Sequence, residues 1–185
     1  MRPHVLGIDD APFDKKQTRP VPVIGVLMEG CDLVEGVAVA EFPVDGADAT
    51  TFLGDWIDTL PWRQAVQAVV LGGITLAGLG LVDIDALANR LGIPVLAVTR
   101  RATAASRLPK ALHAAGLHER LPVAERAPRS IHVRPGLHVA CAGATPARAT
   151  ALVEATLRKS RMPEPLRVAH LIAAALERGA SRGRV

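Results

Sequence analysis

The sequence predicts an α/β protein with a mixed central sheet, and three observations carry that prediction. Three runs rich in Val, Ile and Leu follow one another near the start, separated by turn residues, which is the pattern of an antiparallel meander. Further along, apolar strands alternate with amphipathic helices, a pattern that calls for parallel strands with helices packed on the sheet. The chain then closes with two helices whose start and stop signals are explicit.

The elements follow in order. "HVLGI", "VPVIGVLMEG" and "LVEGVAVAEFPV" are the meander, each bounded by Gly, Pro or Asp. In "DGADATTFLGDWIDTL", Asp48 is placed to cap a helix, and Phe52, Trp56, Ile57 and Leu60 fall at helical spacing on one face. "QAVVLGG" is a continuous apolar strand, "IDALANRLG" a helix closed by Gly92, "IPVLAVTRR" a strand and "LPKALHAAGL" a helix. After a polar, Pro-containing stretch from Ala124 to Arg129, "SIHVRPGLHVACAG" reads as a hairpin or bent strand. Thr145 caps "TPARATALVEATL" with Pro146 at its first position, and the last helix, "MPEPLRVAHLIAAALERG", ends on Gly179. No repeat or low-complexity linker interrupts the chain, so residues 1–185 are expected to form one domain.

Composition narrows the function classes. Of 185 residues, 49% are apolar, enough for a substantial core. Twenty-two basic residues against 18 acidic give a net charge of +4, which permits a polyanionic partner without demanding one. With three Phe, two Trp and no Tyr, single-strand binding through aromatic stacking is disfavoured. Cys31 and Cys141 lack the spacing of a zinc site or a disulfide framework, and both are expected to be small buried apolar residues. The N-terminus has no signal-peptide pattern. "AVVLGGITLAGLGLV", from Ala68 to Val82, is too short and Gly-rich to span a membrane, so a cytoplasmic protein with no membrane partner is expected.

Candidate chemistry gathers at element ends. Asp9 and Asp10 close the first strand of "VLGIDDAPF", and Asp45 follows the third. In an antiparallel meander the ends of strands one and three lie at the same end of the sheet, so Asp9 and Asp45 can be neighbours. Two such carboxylates suit Mg²⁺, or Mn²⁺, which keeps several waters and takes one or two protein carboxylates. Turn formation explains "DDAP" and "VDGAD" equally well, and Asp10 is assigned to the turn leading to Pro12. Asp48 and Asp83 read as helix caps. "GGITLAGLG" matches neither phosphate-binding glycine motif and reads as a tight turn. His113 and His118 flank a helix end, and His132 and His138 have no acidic neighbour in sequence, so none of the four is a ligand candidate by spacing. His170 lies within the last helix, where a structural histidine is as good a reading as a site residue.

The blocks "VLGIDDAPF", "VDGADAT", "GGITLAGLGLVDI", "IPVLAVTRR" and "PEPLRVAHLIAAALERGASRG" resemble, in order and spacing, the domain-of-unknown-function 99 family over essentially the whole chain. That family is similar to endonuclease V, a ribonuclease H-like nuclease that cuts nucleic acid near deaminated bases with divalent metal. The resemblance implies catalytic roles for Asp9, Asp45 and His170, metal held by Asp9 and Asp45, and Arg100 and Arg167 facing phosphate, with Arg101 doubling the charge. It breaks at Gly72, where the nuclease carries a third metal-binding carboxylate. Nor does the sequence hold a counterpart of the nuclease's strand-separating wedge. The implied function is therefore a Mg²⁺-dependent phosphodiesterase acting on DNA or RNA with an incomplete metal site. The alternatives are a non-catalytic nucleic-acid-binding module and a metal-dependent small-molecule hydrolase.

Overall fold

The computed structural model describes residues 2–101 and 107–182. Among the described residues nine strands and six α-helices form: β1 His4–Asp10, β2 Val21–Glu29, β3 Leu33–Phe42, α1 Ala49–Thr59, β4 Ala68–Leu71, β5 Thr75–Leu76, β6 Gly80–Leu81, α2 Ile84–Leu91, β7 Val95–Thr99, α3 Arg107–Ala114, α4 Leu121–Arg126, β8 Ile131–Arg134, β9 Leu137–Ala142, α5 Pro146–Ala155 and α6 Glu164–Arg178. Seven strands make one sheet in the order β3-β2-β1-β4-β7-β9-β8. β1, β4 and β7 run parallel, and all other pairings are antiparallel. The mixed α/β sheet expected from the sequence is what forms.

Strand alternation divides the core. Val5, Ala68, Val70, Leu96, Val98 and Val139 pack with Ala149 and Val153 of α5 and Leu166 of α6. The intervening Leu6, Ile8, Val69, Leu71, Val95 and Ala97 belong to a second cluster with Leu53 and Ile57 of α1 and Leu87 and Leu91 of α2. A period of two along each strand thus supplies a helix layer on either face. Helix α6 lies close against β1: a Cβ at Gly7 would overlap the backbone of Pro165 and Leu166. Only glycine permits that approach, and the approach sets where the rest of α6 meets the strand end.

Most predicted helix boundaries are borne out. Asp83 accepts the Ala86 N–H at 3.0 Å, and Thr145 accepts that of Arg148 at 3.3 Å. Gly92 and Gly179 end α2 and α6 in the left-handed conformation.

Three readings need correction. Asp48 occupies the N-cap position of α1, but its φ of 57° is left-handed and its side chain makes no capping bond; a cap needs extended backbone to turn the carboxylate toward the first amides. The polar stretch before β8 is not all loop, since its first three residues, Ala124–Arg126, end α4, whereas the turn expected in the glycine-rich stretch forms as the tip of the β5–β6 hairpin. Cys31 and Cys141 are free and half-buried rather than buried.

Candidate active site

The carboxyl ends of β1, β4 and β7 come together at one end of the sheet, which is where open α/β sheets place their ligands. β1 delivers Asp9 and Asp10 there, β4 ends next to Gly72, and β7 ends at Thr99 with Arg100 and Arg101 following. Over this edge lies α6. Its His170, fixed by the Gly7–Pro165 approach, sets Nδ1 2.7 Å from Asp9 Oδ2. The bond to Asp9 is the main cause that raises the His170 pKa above its ordinary value, while burial and the charges of Arg100 and Arg178 oppose it. The side chain is 63% exposed, and among the described residues its other ring nitrogen has no hydrogen-bond partner.

Asp10 is not a turn residue. It is the last residue of β1, paired with Val23, and the ladder continues through the Ala11 N–H to the Pro22 carbonyl. Burial and the neighbouring Asp9 charge push its pKa up to about 6, against the Ala77 amide, which favours the charged form. The two adjacent aspartates thus differ: Asp9 partners a histidine, whereas Asp10 gives up its proton only around pH 6.

The register puts the ends of β1 and β3 at the same end of the sheet, as expected, with β2 between them: Asp9 is opposite Ile24, and Ile24 opposite Val39. Asp45 then leaves β3 in a loop that meets the β5–β6 hairpin. Its N–H donates to the Ala77 carbonyl at 2.9 Å, and its Oδ1 accepts the Leu79 N–H at 2.7 Å. Asp45 is left-handed, with φ 50°, a conformation Asp tolerates better than most residues.

Arg167 is paired within its own helix. It grips Glu164 through Nε at 2.9 Å and Nη2 at 2.6 Å, and that bond raises its own pKa. Glu164 is only 5% exposed, so the pair is a buried charge and its counter-ion. Arg100 and Arg101 are exposed, and Arg100 lies close enough to act on His170. Two cations escaped the sequence reading. Arg178 acts on His170 from the last turn of α6, and Arg120 donates to the Leu79 carbonyl at 2.8 Å. Nothing in the local sequence pattern marks either.

Position 72 borders Asp9. A Cβ there would stand 3.3 Å from Asp9 Oδ1 and 3.9 Å from Leu166, so the missing side chain leaves room directly beside the Asp9 oxygen that His170 does not use. A cleft of about 1030 Å³ begins at this point, lined among others by Gly72, Thr75, Leu79, Thr99, Arg107 and Arg129. Among the described residues, no three or more His, Cys, Asp or Glu side chains are grouped to hold a metal ion. His113 with His118 and His132 with His138 form ring pairs, at 4.9 and 5.2 Å between centroids. Among the described residues, no helix is long and apolar enough to cross a membrane.

The seven-stranded mixed sheet flanked by helices places the protein in the class with the fold of endonuclease V. The Ciona intestinalis endonuclease V, solved in complex with DNA containing an inosine, superposes with a TM-score of 0.57 at 12% identity, covering 91% of this chain and 82% of that one. A protein of unknown function from Archaeoglobus fulgidus superposes with a TM-score of 0.86 at 35% identity, covering 95% and 98%. A UPF0215 protein of Methanothermobacter thermautotrophicus is 34% identical over 183 residues, 97% of this chain and 90% of that one. The chain belongs to the Endonuclease dU family, whose model matches residues 2–177.

Proposed function

We propose that the protein is an endonuclease acting on DNA or RNA, with Asp9 and His170 as its reactive pair. The observation that carries this reading is the 2.7 Å bond between Asp9 Oδ2 and His170 Nδ1 at the carboxyl ends of the parallel strands. The family match and the inosine-DNA complex of the Ciona relative support a nucleic-acid substrate.

In this reading His170, its proton held by Asp9, donates from its free ring nitrogen to a phosphate or leaving-group oxygen. Arg100 and Arg178, whose charges both act on His170, attract the phosphate backbone. The neighbouring cleft has room for a nucleotide.

A divalent ion is part of the proposal. The chemistry of the donor fits Mg²⁺ or Mn²⁺: Asp9 Oδ1 borders the space beside Gly72, and this ion class takes few protein carboxylates and fills its shell with water and phosphate. When bound, the ion would neutralise phosphate charge and lower the pKa of a water. Asp45, which has one carboxylate oxygen on Leu79, is a weaker candidate for that shell.

End-labelled single strands containing deoxyuridine or inosine, incubated with Mg²⁺ or Mn²⁺, test the reading. Cleavage by the wild type and its loss in Asp9→Asn are expected; cleavage that survives the substitution refutes the mechanism. The second reading, a binding module without cleavage, is favoured by the absent carboxylate at Gly72. Salt-dependent binding of the same strands with no product would establish it.

A further inference from the structure

The β5–β6 hairpin forms part of the cleft wall through Thr75, Gly78 and Leu79, yet each of its strands has only two residues. Two-residue strands cannot hold a rigid wall by themselves. Leu76 and Ala77 anchor its base in the core, and the half-buried tip is tied by a clamp on both backbone groups of Leu79. Asp45 Oδ1 accepts the Leu79 N–H at 2.7 Å, and Arg120 Nη1 donates to the Leu79 carbonyl at 2.8 Å. The Asp45 N–H adds a third tie, to the Ala77 carbonyl at 2.9 Å.

Other features agree with this arrangement. Gly78 has φ 101°, and a Cβ on it would overlap Asp45 Oδ1, so the glycine is what lets the carboxylate sit against the tip. The Arg120 side chain is 12% exposed, its guanidinium turned inward to the tip while Glu119 neutralises it at 3.3 Å. The clamp residues come from the loop after β3 and from the short turn before α4, so the hairpin is fixed from two separate parts of the chain.

We propose that Asp45 and Arg120 are positioning residues that hold the Leu79 tip as a wall of the substrate cleft, and that Asp45 serves as a backbone acceptor rather than as a metal ligand. The inference rests on the nucleic-acid reading only for what the cleft binds. The clamp itself is independent of it.

Asp45→Asn separates the two roles, because an amide oxygen can still accept the Leu79 N–H and Asn also tolerates the left-handed backbone, whereas a neutral amide is a poor Mg²⁺ ligand. Three quantities are measured on the full chain: Mn²⁺ affinity, amide hydrogen exchange at Leu79, and affinity for a fluorescent single strand containing deoxyuridine. For Asp45→Asn we expect Mn²⁺ affinity within about twofold of wild type and Leu79 exchange faster than wild type but slower than in Asp45→Ala, because a neutral amide oxygen accepts more weakly than a carboxylate. Asp45→Ala and Arg120→Met should leave Mn²⁺ affinity intact, speed Leu79 exchange about tenfold and weaken the oligonucleotide several-fold, because an opening of the tip is no longer opposed by one hydrogen bond. A large loss of Mn²⁺ affinity in Asp45→Asn overturns the proposal, as does unchanged Leu79 exchange in Asp45→Ala. If the wild type binds neither Mn²⁺ nor the oligonucleotide, the nuclease reading fails, and Leu79 exchange still decides the clamp.

Discussion

Replacing Arg167 by Met decides whether its guanidinium serves the fold or the substrate. Glu164 stands in the first turn of α6, 5% exposed, with its backbone N–H on the Thr156 carbonyl at 2.8 Å. Its charge is favoured there by the helix N-terminus, but both carboxylate oxygens depend on Arg167. Breaking a buried pair from one side costs roughly 3–5 kcal/mol, since the remaining charge is left without a partner. The Arg167 side chain is 34% exposed, so water reaches the carboxylate once the guanidinium is gone, which reduces the expected loss to about 2–3 kcal/mol.

With a urea m-value of ~2.5 kcal/mol/M for a chain of this size, that loss lowers the unfolding midpoint by about 1 M. The thermal midpoint falls by roughly 5–10 °C. Adding Glu164→Gln removes the stranded charge, and the double variant should recover at least ~1 kcal/mol of the loss. Urea titrations of the four proteins of this cycle measure each step. A loss below ~0.5 kcal/mol for Arg167→Met, or a double variant as unstable as the single one, refutes the counter-ion role. Weakened oligonucleotide binding at unchanged stability would then return Arg167 to the phosphate-facing role its sequence position implies.

The remaining predictions concern the neighbours of Asp9. Gly7→Ala drives a methyl into the Pro165 backbone; it should destabilise by ~2 kcal/mol or more and displace α6, and an NMR titration should show the His170 pKa falling back toward its ordinary value. An unmoved His170 titration would show that α6 placement does not depend on this approach. Asp10, with its pKa raised to about 6 from 3.8, stabilises the fold fully below pH 3.8 and loses that contribution as pH rises through 6. Asp10→Asn should therefore raise stability by about 1–3 kcal/mol at pH 8 and leave it unchanged at pH 3.5, as read by urea denaturation at the two values. Gly72→Asp sets a carboxylate beside Asp9 Oδ1 at a position whose backbone lies outside the left-handed region; it should tighten Mn²⁺ binding by about tenfold or more in titration calorimetry while lowering metal-free stability through like-charge repulsion. Unchanged Mn²⁺ affinity would place the ion elsewhere.

Elements with a strong period or an explicit cap were legible in the sequence, because one local signal decides them. The continuous apolar run of β4 and the Thr145–Pro146 start of α5 are of this kind. So is Gly92 at the end of α2. Asp48 shows the limit. Its residue type and place are right for a cap, but the loop that brings Asp45 to the hairpin forces Asp48 into a left-handed conformation as well, and tertiary demand overrides the local preference. Helix α4 escaped for the related reason that none of its residues is fully buried, so no apolar stripe marks it.

The candidate site was legible as a set of residue types and not as a set of roles. Asp9, Asp10 and Asp45 are chemically equal in the sequence, all near turns and all able to hold a hard cation. Their environments separate them: Asp9 meets a histidine 161 positions away, Asp10 is buried beside a like charge, and Asp45 is drawn onto a backbone amide 34 positions away. Arg167 is diverted in the same manner by Glu164, three residues before it. An i,i+3 pair of opposite charges is visible in any sequence, but its weight depends on burial, which the sequence alone leaves open. Gly72 carries the opposite lesson. Compared with the nuclease pattern it argues against cleavage, yet in the folded chain it borders the Asp9 oxygen that does not bond His170, and under the proposed function a phosphate bound there would supply oxygens of its own.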